Sequence, residues 1–450
     1  MRLADLRGRS VAVWGTGREG KAAVRAVAAA GPSRLVVVED QPSHLSTAWT
    51  GELADLAPLV SGPDARAVLL GADVVVRSPG VPQTHPWVVE LRERGVPITG
   101  GTALWMAEHA DRTVGVTGSK GKSTTSSLIS HLLTGLGVAN VYGGNIGVPV
   151  LDLPPAERYV LELSSYQCSD LTDSPAVAVV TALFPEHLDA HGGETEYYRD
   201  KLNLVAHGPK SIIFNAQDKR LAAAVGDLPG AVPAASPASY HVADGPDGRP
   251  YVFAGGVPLF ARTALPLVGR HNGRNLCVAL AALEAWGVDC VARAAEIEAV
   301  AATFAALPHR LSEIADPSGV TFVDDTLATS PYATMHAIDA YDDRPLTVIV
   351  GGTDRGLDYT VLRDHLAPRD INVIGIPDSG ERIVAALDGL PGVRAEVAED
   401  LPAAVRRARE VTPAGGVVLL SPGAPSYGRY RNFEHRSEAY AAAIRDSAAG

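Results

Sequence analysis

The sequence predicts an α/β protein of three domains: a Rossmann-like N-terminal domain, a central phosphate-loop domain on a mostly parallel sheet, and a Rossmann-like C-terminal domain. Short runs rich in Val and Ile recur between amphipathic stretches, glycine turns follow several of them, and the pattern restarts twice along 450 residues. Boundaries are expected near residues 102 and 306, giving segments 1–102, 103–306 and 307–450.

The first segment opens "SVAVWGTGREGKAAVRAVAAAG" and continues "RLVVVED", which reads as strand, glycine turn, helix and a second strand ending in acids. "ADVVVRSPGV" adds a strand with a turn at Ser78-Pro79-Gly80, and "GVPITGG" adds a short one. The turn from Gly15 to Gly20 has the spacing of a dinucleotide fingerprint, with Asp40 about twenty residues beyond it. Two ligands suit that turn, a nicotinamide dinucleotide and another phosphate-bearing substrate. The second is preferred, because a stronger triphosphate loop follows in the same chain.

That loop lies in "VGVTGSKGKSTTSSLISHLL", residues 114–133. Gly118 and Gly121 let backbone N–H groups converge on an anion at the positive end of the next helix. Lys122 would reach the outer phosphates, and the Ser123 or Thr124 hydroxyl would face a magnesium ion. Val116 stands where the standard spacing has glycine. A nucleoside triphosphate is the expected ligand.

Further strands are expected at "RYVLELSS", "AVAVVTAL" and "SIIFN", a long helix in "NGRNLCVALAALEAWG", and hairpins or loops over 226–268. Glu162 closes the strand "RYVL", where a carboxylate can hold magnesium; the bland reading is a carboxylate on a sheet edge. "FPEHLDAH" gathers Glu186, His187, Asp189 and His191, and the lack of a cysteine or distant third histidine favours magnesium or hydrogen bonding over zinc. On composition alone Lys201 is a surface lysine. Asn272 and Asn275 either cap a helix or read an adenine edge, and Arg310 in "LPHR" would clamp a phosphate at a hinge.

In the third segment "GVTFVDD", "LTVIVGG", "INVIGIP" and "GGVVLLSPG" are expected strands. The loops "DDTLATS", "GGTDRGLD" and "SPGAPSYGRYRNF" follow strand ends, where hydroxyls, Arg355 and backbone N–H groups suit a small anionic substrate. Lys and Arg number 39 against 51 Asp and Glu, a formal charge of −12 that argues against nucleic acid and anionic membranes as partners. Three cysteines without a C-x-x-C pair exclude a disulfide framework or structural zinc. The polar N-terminus and the lack of a membrane-length apolar run predict a cytoplasmic protein without membrane insertion, and a monomer is expected.

Taken in order, "GVTGSKGKST", "GGNIGVP", "ELSSYQ", "EHLD" with a following Y-x-x-x-K, "GRHNGRN", "LPHR" and "NFEHR" resemble the Mur ligases, the ATP-dependent amino-acid ligases of peptidoglycan precursor synthesis. The N-terminal "GTGREG" and "SPGV" are most similar to the glutamate-adding, MurD-like branch. The resemblance implies ATP, two magnesium ions, UDP-N-acetylmuramoyl-L-alanine and glutamate as ligands, with amide formation through an acyl phosphate. It implies ATP contacts at Gly118, Ser119, Lys120, Gly121, Lys122, Ser123, Thr124, Asn272, Asn275, Arg310 and Asp325. Lys122, Glu162, His187 and Lys201 would be catalytic, with Ser123, Glu162, His187 and a carbamate on Lys201 holding metal. The UDP substrate would contact Gly17, Arg18, Glu19, Ser78, Gly80, Asn145 and Gln167, and glutamate would contact Thr329, Arg355, Ser426 and Phe433.

The departures from that pattern cluster around the amino acid. Leu327 stands where D-S-K-A-T-N-P has lysine, Arg355 where G-G-x-D-K has lysine, and "SPGAPS" where "SPACAS" is usual, while Ala182 replaces an asparagine ahead of "EHLD". "ATSPYAT" and "SPGAPSYG" are similar to ligases that add L-glutamate, the expected amino acid; D-glutamate is the alternative. A folylpolyglutamate-synthetase-like ligase shares the ATPase core, but the full N-terminal domain argues against it. A nucleotide-binding regulator without ligation is opposed by the pairing of Glu162 with His187.

Overall fold

The computed structural model describes residues 1–41, 49–245, 247–305, 307–314 and 316–448. Ala306, at the second expected boundary, and the side chain of Asp189 lie outside the described residues. The chain divides into two compact units, one of Met1–Leu265 with Arg274–Thr303 and one of Pro266–Gly273 with Phe304–Gly450.

In the first unit β1 (Ser10–Trp14), β2 (Arg34–Glu39), β3 (Leu59–Ser61), β4 (Val74–Arg77) and β5 (Ile98–Gly100) form a parallel sheet in the order β3-β2-β1-β4-β5. Val11 and Val13 pack into one core and Ala12 and Trp14 into another. Both faces are therefore covered, which is why these strands read as unbroken apolar runs. The strand order reverses between β1 and β4, and the loops leaving those two strands carry the glycine turn and Ser78. A Cβ at Gly20 would fall 2.0 Å from the Gly15 carbonyl oxygen, and one at Gly15 would fall 2.7 Å from Ser78 Oγ. Only glycine permits that closeness.

The same unit holds β6 (Thr113–Thr117), β7 (Val141–Gly144), β8 (Tyr159–Glu162), β9 (Val177–Val180), β10 (Ser211–Asn215) and β11 (Ala231–Ala234). They pair in parallel in the order β11-β10-β9-β6-β8-β7. Leu161, Ala178, Val180, Ile212 and Phe214 are buried in one cluster, each large apolar side chain contributing about 1.5–3 kcal/mol by leaving water. Within 226–268, β12 (Tyr240–Asp244), β13 (Pro250–Ala254) and β14 (Val257–Ala261) form a small antiparallel sheet.

In the second unit β15 (Ser312–Ile314), β16 (Thr321–Asp324), β17 (Leu346–Val350), β18 (Ile371–Gly375), β19 (Val393–Val397) and β20 (Val417–Leu420) adopt the order β15-β16-β20-β17-β18-β19. Only β15 runs antiparallel to its neighbour. Val348 and Val350 face one core and Ile349 the other, so this sheet too is covered on both sides. Among the described residues no helix is long and apolar enough to cross a membrane.

Candidate active site

The chain leaves β6 at Thr117, turns through Gly118 (φ +146°) and Gly121 (φ +89°), and enters the helix Lys122–Gly135. Thr181, directly after β9, clamps this turn: its N–H donates to Thr117 O at 3.0 Å and its hydroxyl to Lys120 O at 2.5 Å. A Cβ on Gly118 would lie 2.1 Å from that hydroxyl, and one on Gly121 would lie 2.9 Å from Asn275 Oδ1. Ser119 N–H donates to Ala182 O at 2.8 Å, and its hydroxyl donates to Phe184 O at 2.7 Å. Ala182 thus contributes a backbone carbonyl, a role its side chain does not enter. The result is a tight glycine turn at a helix N-terminus, an arrangement suited to phosphate.

Lys122 Nζ donates to Gly118 O at 2.8 Å and Ser119 O at 3.3 Å. Lys201 Nζ donates to the same Gly118 carbonyl at 3.0 Å. The expectation of a surface lysine at 201 is overturned: the residue is 2% exposed. Its ammonium is pushed down to about 7, chiefly by burial and then by the charge of Lys122. Composition could not show this, because the burial comes from the helix Glu194–Leu202 lying against the glycine turn.

Glu162 ends β8 opposite Val116 of β6 and is 1% exposed. Since β8 lies between β6 and β7, the bland reading of a sheet-edge carboxylate is set aside. Its Oε1 accepts from Asn145 Nδ2 at 2.9 Å, while Oε2 has no hydrogen-bond partner among the described residues. A buried carboxylate oxygen left in that state is costly, and a cation would satisfy it. His187, with φ +53°, precedes the turn Leu188–His191, and its ring centroid is 5.5 Å from that of Tyr166. His191 instead bonds Ser165 and Asp200. Among the described residues no three His, Cys, Asp or Glu side chains gather where they could hold a metal ion.

The residues expected at the UDP substrate are partly brought together. Gly17 caps the helix Arg18–Ala30; Arg18 donates to Gly147 O at 2.8 Å and Asn145 O at 3.2 Å. Gln167 Nε2 donates to Glu19 Oε1 at 3.2 Å. Burial pushes the Glu19 carboxyl up to about 7 against the opposing pull of Arg18. Asn145 therefore touches Arg18 through its carbonyl and Glu162 through its amide, linking the N-terminal turn to the end of β8. Ser78 leans on the glycine turn, while Gly80 is exposed with open space around it.

In the second unit Asn272 Nδ2 donates to Val268 O at 2.7 Å, holding its own turn, and Arg310 is half-buried between His309 (φ +61°) and Leu311 (φ +49°). Asp325 accepts from Ser421 at 3.0 Å. Ser426 is buried, Thr329 and Phe433 are half-buried and Arg355 is exposed. Phe433 meets the ring of His309 edge-on at 5.7 Å.

Two residues beneath these sites were not singled out from sequence, Thr181 and Arg436. Arg436 is fully buried and donates to Thr326 O at 2.7 Å, Thr326 Oγ1 at 2.8 Å and Ala424 O at 3.2 Å. All these partners are neutral, and burial pushes the guanidinium down to about 10. A Cβ on Gly352 would lie 2.9 Å from its Nη1, so the side chain underlies the loops after β16, β17 and β20 together. The only sequence signal was that "NFEHR" ends on it.

Residues 116–283 match the Mur ligase middle domain family. Over 448 residues the chain is 71% identical to a UDP-N-acetylmuramoyl-L-alanine–L-glutamate ligase of Micromonospora sp., covering 100% of this chain and 99% of that one. A ligase of the same name from Salinispora tropica is 70% identical over 448 residues, with full coverage (100%) of both chains. Another from Xanthomonas axonopodis pv. citri is 39% identical over 465 residues, covering 98% and 96%. Among solved structures, MurC of Thermotoga maritima matches with a TM-score of 0.58 at 20% identity, covering 98% and 100%. MurF of the same organism in complex with ADP matches at 0.59 and 16% identity, covering 99% and 97%; these two likenesses concern the fold. With such identity along its whole length, the chain belongs to the Mur ligase family, in its UDP-N-acetylmuramoyl-L-alanine–L-glutamate ligase group.

Proposed function

We propose that this chain joins the alanine carboxylate of UDP-N-acetylmuramoyl-L-alanine to the amine of L-glutamate while ATP is cleaved to ADP and phosphate. The observation that carries this reading is the phosphate turn with Lys122 in the same unit as buried Glu162, whose Oε2 has no partner among the described residues and whose Oε1 is held by Asn145. The amino acid is read from the relatives' name and from Leu327, Arg355 and "SPGAPS" in the strand-end loops.

In the first step an acceptor carboxylate oxygen attacks the γ-phosphorus, the bond to the β-phosphate oxygen breaks, and ADP leaves. The deprotonated glutamate amine then adds to the acyl carbon, its nitrogen gives up one proton to solvent, and collapse of the tetrahedral species expels phosphate and leaves the amide. Lys122 exchanges its contact with Gly118 O for a phosphoryl oxygen, stabilising charge where it develops. Ser123, Glu162, His187 and Lys201 would hold two magnesium ions, which would supply positive charge to the phosphates. With its pKa pushed down to about 7 by burial, the Lys201 amine gives up its proton more readily than an exposed lysine, which suits addition to carbon dioxide, forming an N–C bond, releasing a proton and leaving an anionic carbamate. Gly118 to Thr124 and Asn275 serve ATP with Asn272, Arg310 and Asp325. Arg18, Glu19, Asn145 and Gln167 serve the UDP substrate with Gly17, Ser78 and Gly80. Thr329, Arg355, Ser426 and Phe433 serve glutamate. Segments 1–102, 103–306 and 307–450 accordingly take the UDP substrate, ATP and the amino acid. The same reading makes the enzyme a cytoplasmic monomer.

An acceptor labelled with ¹⁸O in its alanine carboxylate tests the chemistry. The expected result is ADP release that requires acceptor and glutamate together, with one ¹⁸O carried into inorganic phosphate. Unlabelled phosphate, or release indifferent to the acceptor, would overturn it.

A further inference from the structure

A line of three buried side chains lies behind the site and takes no part in the steps above. Ser165 Oγ is 2.9 Å from His191 Nε2, and His191 Nδ1 is 2.7 Å from Asp200 Oδ2. None of the three is more than 5% exposed. An ionised carboxylate only accepts, so His191 Nδ1–H donates to Asp200, and Nε2 faces the Ser165 hydroxyl at hydrogen-bond distance. The other Asp200 oxygen accepts from Arg199 Nε at 3.1 Å and Nη2 at 2.9 Å. The order serine, histidine, aspartate is that of a nucleophile triad. Here the hydroxyl is enclosed: Tyr166 stacks on the imidazole at 4.9 Å, Tyr197 meets it edge-on at 5.3 Å, and Ser165 is 3% exposed. No acyl carbon reaches it.

Each member of the line sits beside a residue assigned to the ligase reaction. Ser165 opens the short helix Ser165–Cys168, which carries Gln167. His191 closes the turn Leu188–His191 that begins after His187, and its N–H donates to His187 O at 3.3 Å. Asp200 directly precedes Lys201 in the helix Glu194–Leu202. Tyr166 is shared, lying 4.9 Å from the His191 ring and 5.5 Å from the His187 ring. His187 also holds φ +53°, a conformation that a residue with a side chain keeps only when its surroundings impose it.

We propose that Ser165, His191 and Asp200 are positioning residues that act as one hydrogen-bonded unit to set the spacing of Gln167, His187 and Lys201. The inference rests on the reading of His187 and Lys201 as metal-holding groups. Its reach is the geometry of cation binding, as hydrogen-bond partners behind ligands commonly govern affinity.

The test is Mn²⁺ binding in the presence of ADP, followed by electron paramagnetic resonance on the full chain. Ser165→Ala, and His191→Phe, which keeps a ring between the two tyrosines, are each expected to weaken binding about 10-fold. Ser165→Thr should bind as the wild type does, and the double variant should be no weaker than His191→Phe alone, because one partner's loss already breaks the unit. Wild-type binding in Ser165→Ala, or additive losses in the double variant, would overturn the proposal. Ser165→Ala removes one hydroxyl and decides the question alone should His191→Phe not fold. Wild-type acceptor-dependent ADP release is recorded alongside. Its absence strikes the functional reading, whereas Mn²⁺ binding that ignores Ser165 strikes only this inference.

Discussion

The turn at Gly118–Gly121 is set by two glycines and a threonine clamp, whereas the loops after β16, β17 and β20 rest on a buried arginine. At the turn, positive φ angles and close neighbours leave no room for a Cβ at Gly118 or Gly121, so those two positions have little freedom. In the second unit Arg436 reaches Thr326 and Ala424 from below, and side chains such as Arg355 and Tyr427 stay exposed above. Their identity can change without disturbing the scaffold. Of the departures from the usual glutamate-adding pattern, Leu327, Arg355 and "SPGAPS" lie in the second region, while Ala182 lies beside the first and serves it through a backbone carbonyl that any residue supplies.

The comparison can be broken from its rigid side first. Lys122→Met should lower acceptor-dependent ADP release about 1000-fold, with the thermal midpoint nearly unchanged, because it removes charge from the developing phosphoryl transition state. A loss under tenfold would show that the turn does not handle phosphate.

Arg436→Met tests the other plan. It leaves the Thr326 and Ala424 carbonyls unpaired in a dry interior and should cost about 3 kcal/mol in chemical denaturation. Retained stability would mean that the loops hold themselves. A smaller effect is expected from Arg355→Ala, which should raise the KM for glutamate about 10-fold, the worth of one charged hydrogen bond, and leave the KM for ATP within about twofold.

The smallest effect concerns pH. Arg409 holds the buried Asp316 carboxyl well below the usual carboxylate range, with Nη1 and Nη2 both 2.8 Å away. A carboxyl depressed on folding stabilises fully above its unfolded pKa of about 3.9, and that share is lost as pH falls toward the folded value. Asp316→Asn should therefore flatten the acid limb of the stability profile while lowering stability at neutral pH. An unchanged acid limb would remove this pair from the account.

The parallel sheets were legible because strands covered on both faces must be apolar runs, as at Val74–Arg77 or Leu346–Val350. Short edge strands were not: Leu59–Ser61 and Val393–Val397 are half-exposed and carry no such run. The phosphate turn was legible because its glycines answer a local demand. The burial of Lys201 was not legible in its own residues, which marked it only through the resemblance, and Arg436 was not singled out, since both depend on packing against residues distant in sequence. The line from Ser165 through His191 to Asp200 spans three separate elements and has no sequence spacing to betray it.

The central claim is that an unaltered phosphoryl-transfer turn works with rebuilt amino-acid loops. Phosphate release with ATP, magnesium and UDP-N-acetylmuramoyl-L-alanine, comparing L-glutamate with D-glutamate, tests it most directly. The account predicts turnover with L-glutamate and little with D-glutamate. Turnover with D-glutamate alone would contradict it and reduce Leu327 and Arg355 to tolerated variation.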